Sequence, residues 1–143
     1  MRTDKKTTTT CFLLVLTMLF GFMANAHAAD LAAGKKVAKS SCKQCHAFVA
    51  GKNKIGPTLF GIIGRVAGTA EGYKFKPDMI AAGKKGLVWD KETFSKYMVM
   101  SNNKRKKYIG SLIGKSKASL KMNAKKIKGK KLENLLGYLE TLK

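Results

Sequence analysis

The stretch Cys42-Lys43-Gln44-Cys45-His46 sets the expectation for the whole chain. Two thiols stand three positions apart and an imidazole follows directly, which is the pattern for covalent attachment of a c-type haem. Each thiol adds to one of two vinyl groups on neighbouring pyrroles, so the short loop lies along one porphyrin edge and brings the next side chain under the iron. Neutral imidazole is a strong nitrogen donor. We therefore predict that Cys42 and Cys45 hold a haem and that His46 binds its iron.

Other uses of two close cysteines require different surroundings. A thioredoxin-like redox pair lies at a helix start after a strand, in an alternating βαβ pattern, and this sequence has no such alternation. A structural zinc site needs four ligands, whereas beyond residue 28 the only Cys and His are Cys42, Cys45 and His46. A disulfide between the two cysteines would leave His46 without a role.

The first 28 residues have the pattern of a secretory signal peptide. Basic residues come first, then an apolar run from Cys11 to Met23, then the cleavage pattern Ala26-His27-Ala28. The run of about 13 residues is short for a membrane span, which needs about 20. We expect cleavage before Ala29, leaving one domain of residues 29–143, exported to the periplasm. An uncleaved N-terminal anchor is the alternative.

The composition is strongly basic, with 29 Lys and Arg against 8 Asp and Glu and a net charge of +21 at pH 7. Such a surface favours an acidic protein, an anionic membrane face or nucleic acid as a partner. An exported protein does not ordinarily meet nucleic acid, so we expect an acidic partner and no nucleic acid.

Apolar residues recur at helical spacing in three segments. Asp30 is a good N-cap for a helix that runs to Cys42. A second helix is predicted from Asp90 or Lys91 to Met100. A third is predicted from Lys130 to Lys143, with its leucines on one stripe. The basic segment 101–121 is predicted to contain a short helix around its apolar residues, which are Ile109, Leu112 and Ile113.

Ten residues after His46 comes Gly56-Pro57-Thr58-Leu59-Phe60-Gly61. Together with the attachment motif it resembles the class I cytochromes c, the mitochondrial and bacterial periplasmic kind, and the resemblance extends over nearly all of residues 29–143. It implies an all-α cytochrome c domain of four to five helices wrapped around one covalently bound haem c, with the terminal helices crossing. It also implies that the Pro57 carbonyl holds Nδ1–H of His46.

Further motifs carry the resemblance along the chain. Gly64-Arg65 and the run containing Trp89 resemble segments whose arginine and tryptophan lie near the haem propionates. Gly72-Tyr73-Lys74-Phe75 resembles the loop at the lower haem edge, and Met79 is expected on that loop. Tyr138 matches an aromatic residue that packs on a glycine of the first helix. In this sequence the glycine is Gly34.

Met122 is the expected second iron ligand. Lys121-Met122 precedes the last helix and resembles the Lys-Met of the family. A thioether is soft and neutral, raises the potential and fills the sixth position. Tyr97 matches the family tyrosine whose hydroxyl bonds the sulfur. Met98 and Met100 are expected to fill the core instead.

These features predict a soluble, monomeric electron carrier rather than an enzyme, since a buried six-coordinate haem passes single electrons between proteins. The expected partners are acidic redox proteins, such as a membrane reductase, an oxidase or a periplasmic dehydrogenase, with transient contact with a membrane surface. A haem enzyme or gas-sensing domain with an open sixth position is the alternative. A basic binding protein with a structural haem is a third class.

Overall fold

The computed structural model describes residues 29–143, and the predicted signal peptide lies outside the described residues. Five α-helices fill this range: α1 (Leu31–Ser41), α2 (Pro77–Lys84), α3 (Lys91–Val99), α4 (Asn102–Leu112) and α5 (Lys130–Glu140). Within the described range 29–143, β pairing is limited to one isolated antiparallel bridge between Val66 and Val88. The all-α prediction is confirmed. None of these five helices is long and apolar enough to cross a membrane.

The terminal helices cross at Gly34, and α1 against α5 is the most extensive helix pair of the domain. A Cβ atom on Gly34 would lie 2.0 Å from the Asn134 carbonyl oxygen and 2.8 Å from Cβ of Tyr138. The Asn134 side chain accepts a hydrogen bond from the Asp30 amide at 3.0 Å. Leu135 and Leu139 are fully buried beneath this crossing. The predicted crossing, with Tyr138 against Gly34, is confirmed.

Helices α1 and α3 begin where their capping residues predict. The Asp30 carboxylate accepts from the Ala33 amide at 2.9 Å, and that of Asp90 accepts from the Thr93 amide at 2.8 Å. Each cap satisfies an amide that has no partner inside the helix. The inner face of α3 is buried as predicted and consists of Phe94, Tyr97 and Met98.

Helix α4 is longer than the sequence predicted. It begins at Asn102, with Ser101 as N-cap, and ends before Ile113, which was expected inside the helix. Gly110 is buried where the chain returns across α4. The returning backbone approaches so closely that a Cβ on Gly110 would lie 2.6 Å from the Lys115 carbonyl oxygen. Ile109 is also fully buried. The segment 101–121 is therefore a packed helix followed by a return loop.

The expectation that Met79 lies on a loop was wrong, because residue 79 belongs to α2. Pro77 occupies the first turn of this helix, where a missing N–H costs no hydrogen bond. The Asp78 carboxylate accepts from Lys115 Nζ at 2.6 Å and from the Ser119 amide at 2.7 Å. These bonds join α2 to the loop that follows α4.

Candidate haem-attachment site

The attachment motif is a tight turn at the C-terminal end of α1. The Cys42 amide donates to the Ala38 carbonyl at 2.9 Å and caps the helix. The Cys42 carbonyl then accepts from the amides of Cys45 and His46, at 3.1 and 2.9 Å. Both cysteines are free thiols, with Cys42 buried and Cys45 half-buried. The turn places both thiols and the imidazole within one short loop.

The position of Cys42 disfavours a redox dithiol. Burial, together with a smaller effect of the neighbouring Cys45, raises the pKa of the Cys42 thiol to about 11. A helix C-terminus also disfavours negative charge. Reactive dithiols instead have thiolates of depressed pKa, commonly at a helix N-terminus. Between residues 29 and 143, no group of three or more Cys, His, Asp or Glu converges closely enough to hold a metal ion by itself.

The imidazole of His46 is fixed by the Gly56-Pro57 turn. Its Nδ1 lies 2.7 Å from the Pro57 carbonyl oxygen. A carbonyl only accepts, so Nδ1 carries the proton and Nε2 keeps a free lone pair. A Cβ on Gly56 would lie 2.4 Å from Cε1 of His46, so only glycine fits beside the ring. Burial lowers the pKa of the His46 imidazole and outweighs the hydrogen bond to Pro57, which raises it. The charge of Lys54 lowers this pKa by a smaller amount. The net lowering favours the neutral ring.

Arg65 supports the loop that carries Pro57. Its Nη1 donates to the Thr58 carbonyl at 2.9 Å, and Nη2 donates to the Phe60 carbonyl. The Thr58 amide in turn donates to the Asn53 side chain at 3.0 Å. Arg65 was predicted beside a haem propionate, whereas these bonds go to backbone of the loop. Sequence reasoning missed Asn53 and Thr58, which have no pattern of their own.

The structure brings the Arg65 and Trp89 motifs together through the backbone. The Trp89 amide donates to the Arg65 carbonyl at 2.8 Å, and the Gly64 amide donates to the Trp89 carbonyl at 3.0 Å. The buried Trp89 ring packs edge-on against Tyr97, with ring centroids 5.0 Å apart. Met122 is half-buried and packs against the same core.

The Tyr97 hydroxyl tests whether the core fits a haem. It is buried, and among the residues that the structure describes it has no hydrogen-bond partner. Burial raises the pKa of Tyr97 to about 12, against an opposing effect of Arg105, so the hydroxyl keeps its proton. An unpaired buried hydroxyl costs about 1–3 kcal/mol. A bound group that accepts a hydrogen bond would remove this cost, and the residues present therefore fit a haem.

Comparison with known proteins places this arrangement in a family, although no family model matches the chain. Cytochrome c2 of Pararhodospirillum photometricum is 37% identical over 117 residues, which cover 81% of this chain and 100% of that protein. Cytochrome c-550 of Novispirillum itersonii is 38% identical over 115 residues, covering 80% of this chain and 99% of that protein.

Solved structures agree with the sequence relatives. Cytochrome c2 from Rhodospirillum centenum superimposes with a TM-score of 0.69 at 33% identity, covering 80% of this chain and 98% of that one. Ferricytochrome c2 from Rhodopseudomonas palustris gives a TM-score of 0.66 at 35% identity, covering 80% and 99%. The chain therefore belongs to the class I c-type cytochromes, soluble electron carriers that hold one covalently bound haem c.

Proposed function

We propose that Cys42 and Cys45 form the thioether bonds to the haem and that His46 and Met122 bind its iron. The observation that carries this proposal is the contact between His46 Nδ1 and the Pro57 carbonyl at 2.7 Å, which leaves Nε2 as the donor atom. The bound haem supplies a site at which one electron is taken up and released. The chain attaches the haem, orients it and shields it from water.

The surrounding residues have separate positioning roles. Pro57 fixes the plane and protonation of the His46 ring, which makes the imidazole a better donor. Arg65 holds the carbonyls on either side of Leu59, so the Pro57 turn keeps its shape. Trp89 and Tyr97 are both buried in the core, and they offer an indole N–H and a hydroxyl as hydrogen-bond donors. We assign these two groups to hydrogen bonds with the haem or its sulfur ligand.

The proposed ligand pair favours a carrier without enzyme activity. With both His46 and Met122 bound to the iron, no ligand position would be left open for oxygen or peroxide. A haem enzyme or gas sensor normally also uses a distal acid or base, and His46 is the one histidine beyond residue 28. A measured midpoint potential that is reversible, with no uptake of carbon monoxide, tests the carrier against this alternative.

Intact mass spectrometry tests haem attachment and signal cleavage together. The exported protein is expected to have the mass of residues 29–143 plus one haem, because the Ala26-His27-Ala28 pattern precedes Ala29 and both thiols add across vinyl groups. A Cys42→Ser Cys45→Ser variant is the control and should lose its haem on denaturation. Loss of haem from the unaltered protein would contradict the thioether bonds. Retention of Met1 with the haem in place would contradict cleavage alone.

We further propose that the protein works in the periplasm and docks acidic redox partners at the face that carries Lys121. Nζ of Lys121 donates to the Lys74 carbonyl at 2.9 Å and lies 5.2 Å from the centre of the Tyr73 ring. The lysine is thus held between the Met122 segment and the loop 72–75. A fixed positive charge beside the iron ligand attracts carboxylates of a partner without binding it tightly.

Salt is expected to slow electron transfer with an acidic partner protein. Steering by complementary charge raises association rates by roughly 10- to 1000-fold. At physiological ionic strength, screening limits the range of this attraction to about 8 Å. Stopped-flow rates should fall steadily as salt increases. Lys121→Gln should reduce the low-salt rate more than Lys84→Gln, which removes an equal charge from the last turn of α2. Equal losses, or rates independent of salt, would contradict a localised docking face.

A further inference from the structure

Arg105 is a fully buried arginine in a run of exposed lysines. Its neighbours Lys104, Lys106 and Lys107 face solvent, whereas Arg105 has a relative exposure of 0%. The four hydrogen bonds of its guanidinium all go to neutral groups. Charged side chains are rarely buried to this extent, since leaving water is costly unless the charge is compensated. The groups around Arg105 therefore have to supply that compensation.

The first source of compensation is the end of α3. Arg105 Nε donates to the Tyr97 carbonyl at 2.9 Å, and Nη2 donates to the Met98 carbonyl at 3.1 Å. Both carbonyls belong to the last turn of α3, where helix carbonyls carry partial negative charge. The Tyr97 carbonyl also accepts from the Met100 amide at 3.3 Å. The guanidinium carbon also lies 5.2 Å from the centre of the Tyr97 ring, within the range of a cation–π interaction.

The second source of compensation is the segment that begins at the proposed sulfur ligand Met122. We name residues 122–127 the ligand segment. Arg105 Nη1 donates to the Ala124 carbonyl at 2.8 Å, two residues after Met122. The same nitrogen donates to the Asn102 side-chain oxygen at 2.9 Å, and that oxygen accepts from the Ala124 amide at 3.2 Å. Both backbone groups of Ala124 are thus bound through Arg105 and Asn102.

The ligand segment is also bonded directly to α3. The Ile127 amide donates to the Met98 carbonyl at 3.1 Å, and this is the carbonyl that Arg105 Nη2 contacts. One guanidinium thus joins the end of α3 to an irregular segment with no helical hydrogen bonds of its own. Without Arg105, only the amide bonds of Ala124 and Ile127 and the packing of the buried Ile127 side chain would hold the segment, so it would open more often.

We propose that Arg105 is a positioning residue that holds the ligand segment against the end of α3 and so keeps the Met122 sulfur at the iron. This rests on the proposed assignment of Met122 as an iron ligand. The planar fork of arginine reaches carbonyls of both segments at once, which the single ammonium of lysine does not do. The charge is retained because the α3 carbonyls, the Ala124 carbonyl and the Tyr97 ring surround it.

The test compares single variants of the ferric holoprotein, with one double variant as a check. Imidazole enters only when the sulfur leaves the iron, so its uptake rate reports opening of the ligand segment. Arg105→Met is expected to raise that rate at least tenfold and Arg105→Lys by less. Lys104→Met, which removes an exposed charge from the same helix, is expected to leave the rate unchanged. In a Met122→Ala background, Arg105→Met should give no further acceleration.

Amide hydrogen exchange supplies a readout that does not depend on the sulfur. The amides of Ala124 and Ile127 should exchange at least tenfold faster in Arg105→Met, while those of Leu135 and Leu139 in α5 stay unchanged. Equal acceleration in α5 would mean a general loss of stability and would overturn the proposal. So would an unchanged rate at Ala124 and Ile127.

Two further results separate this proposal from the ligand assignment. If Met122→Ala keeps its sulfur-to-iron band, the ligand assignment fails, while amide exchange still decides whether Arg105 holds the segment. If Arg105→Met does not fold, Arg105→Lys provides the same test, because it keeps the charge and loses the fork that reaches both segments. Faster exchange at Ala124 and Ile127 in Arg105→Lys supports the proposal, and unchanged rates at both overturn it.

Discussion

Met122→Ala is expected to abolish the weak far-red absorption band that arises from sulfur bound to ferric iron, and to lower the reduction potential. A thioether favours ferrous iron, so its loss shifts the balance toward the ferric state. Axial ligands set haem potentials over a range of about 0.8 V, and the change should be a clear fraction of that range. Visible spectroscopy of the oxidised protein and a redox titration measure the two effects.

The other methionines near α3 provide matched controls. Met98 is buried on the inner face of α3, and Met100 caps its C-terminus. Met98→Ala should keep the band, although removal of a buried methionine side chain costs about 2–5 kcal/mol of stability. Met100→Ala should keep both the band and the potential. A band that survives in Met122→Ala and disappears in either control would move the assignment to that methionine.

Gly34→Ala is expected to destabilise the domain by about 2 kcal/mol, although the same change in an open helix stabilises it by roughly 0.5–1 kcal/mol. The added Cβ would lie 2.0 Å from the Asn134 carbonyl oxygen, and backbone cannot yield as a flexible side chain does. The two helices would have to separate, loosening the contact of Tyr138 and the hydrogen bond between Asp30 and Asn134. Denaturant titration of the holoprotein measures the change in the free energy of unfolding.

Ala32→Gly measures the propensity effect alone, because Ala32 is exposed on the same helix. It should cost no more than about 1 kcal/mol. A stabilised Gly34→Ala protein would show that the crossing tolerates a methyl group and that the close approach of α1 and α5 does not set the stability of the domain.

Much of the fold followed from local patterns. The caps Asp30 and Asp90 fixed two helix starts, and the leucine stripe identified α5, because both act within a few residues. Gly34 was also interpretable, but only because the family resemblance supplied its partner Tyr138. Asn134, whose backbone makes the closest approach, has no sequence pattern that distinguishes it from a solvent-exposed polar residue.

The missed features depend on contacts between distant segments. Helix α2 is short, and Met79 was expected on a loop although Pro77 stands in a position that favours a helix start. Arg105 stands among lysines, and such a run ordinarily indicates a solvated surface. Only the fold shows that its side chain turns inward to the end of α3. Asn102, the first residue of α4, likewise bonds to residues beyond 120, namely Asn123 and Ala124.

The crossing of α1 and α5 also dictates the order in which parts of the chain become buried. Helix α1 finds its main partner only when Lys130–Glu140 has been made, at the opposite end of the domain. Contacts so distant in sequence slow folding, since the entropy of closing a long loop is lost before they stabilise the chain. A chain that stops before residue 130 therefore leaves α1 without the helix against which it packs most extensively.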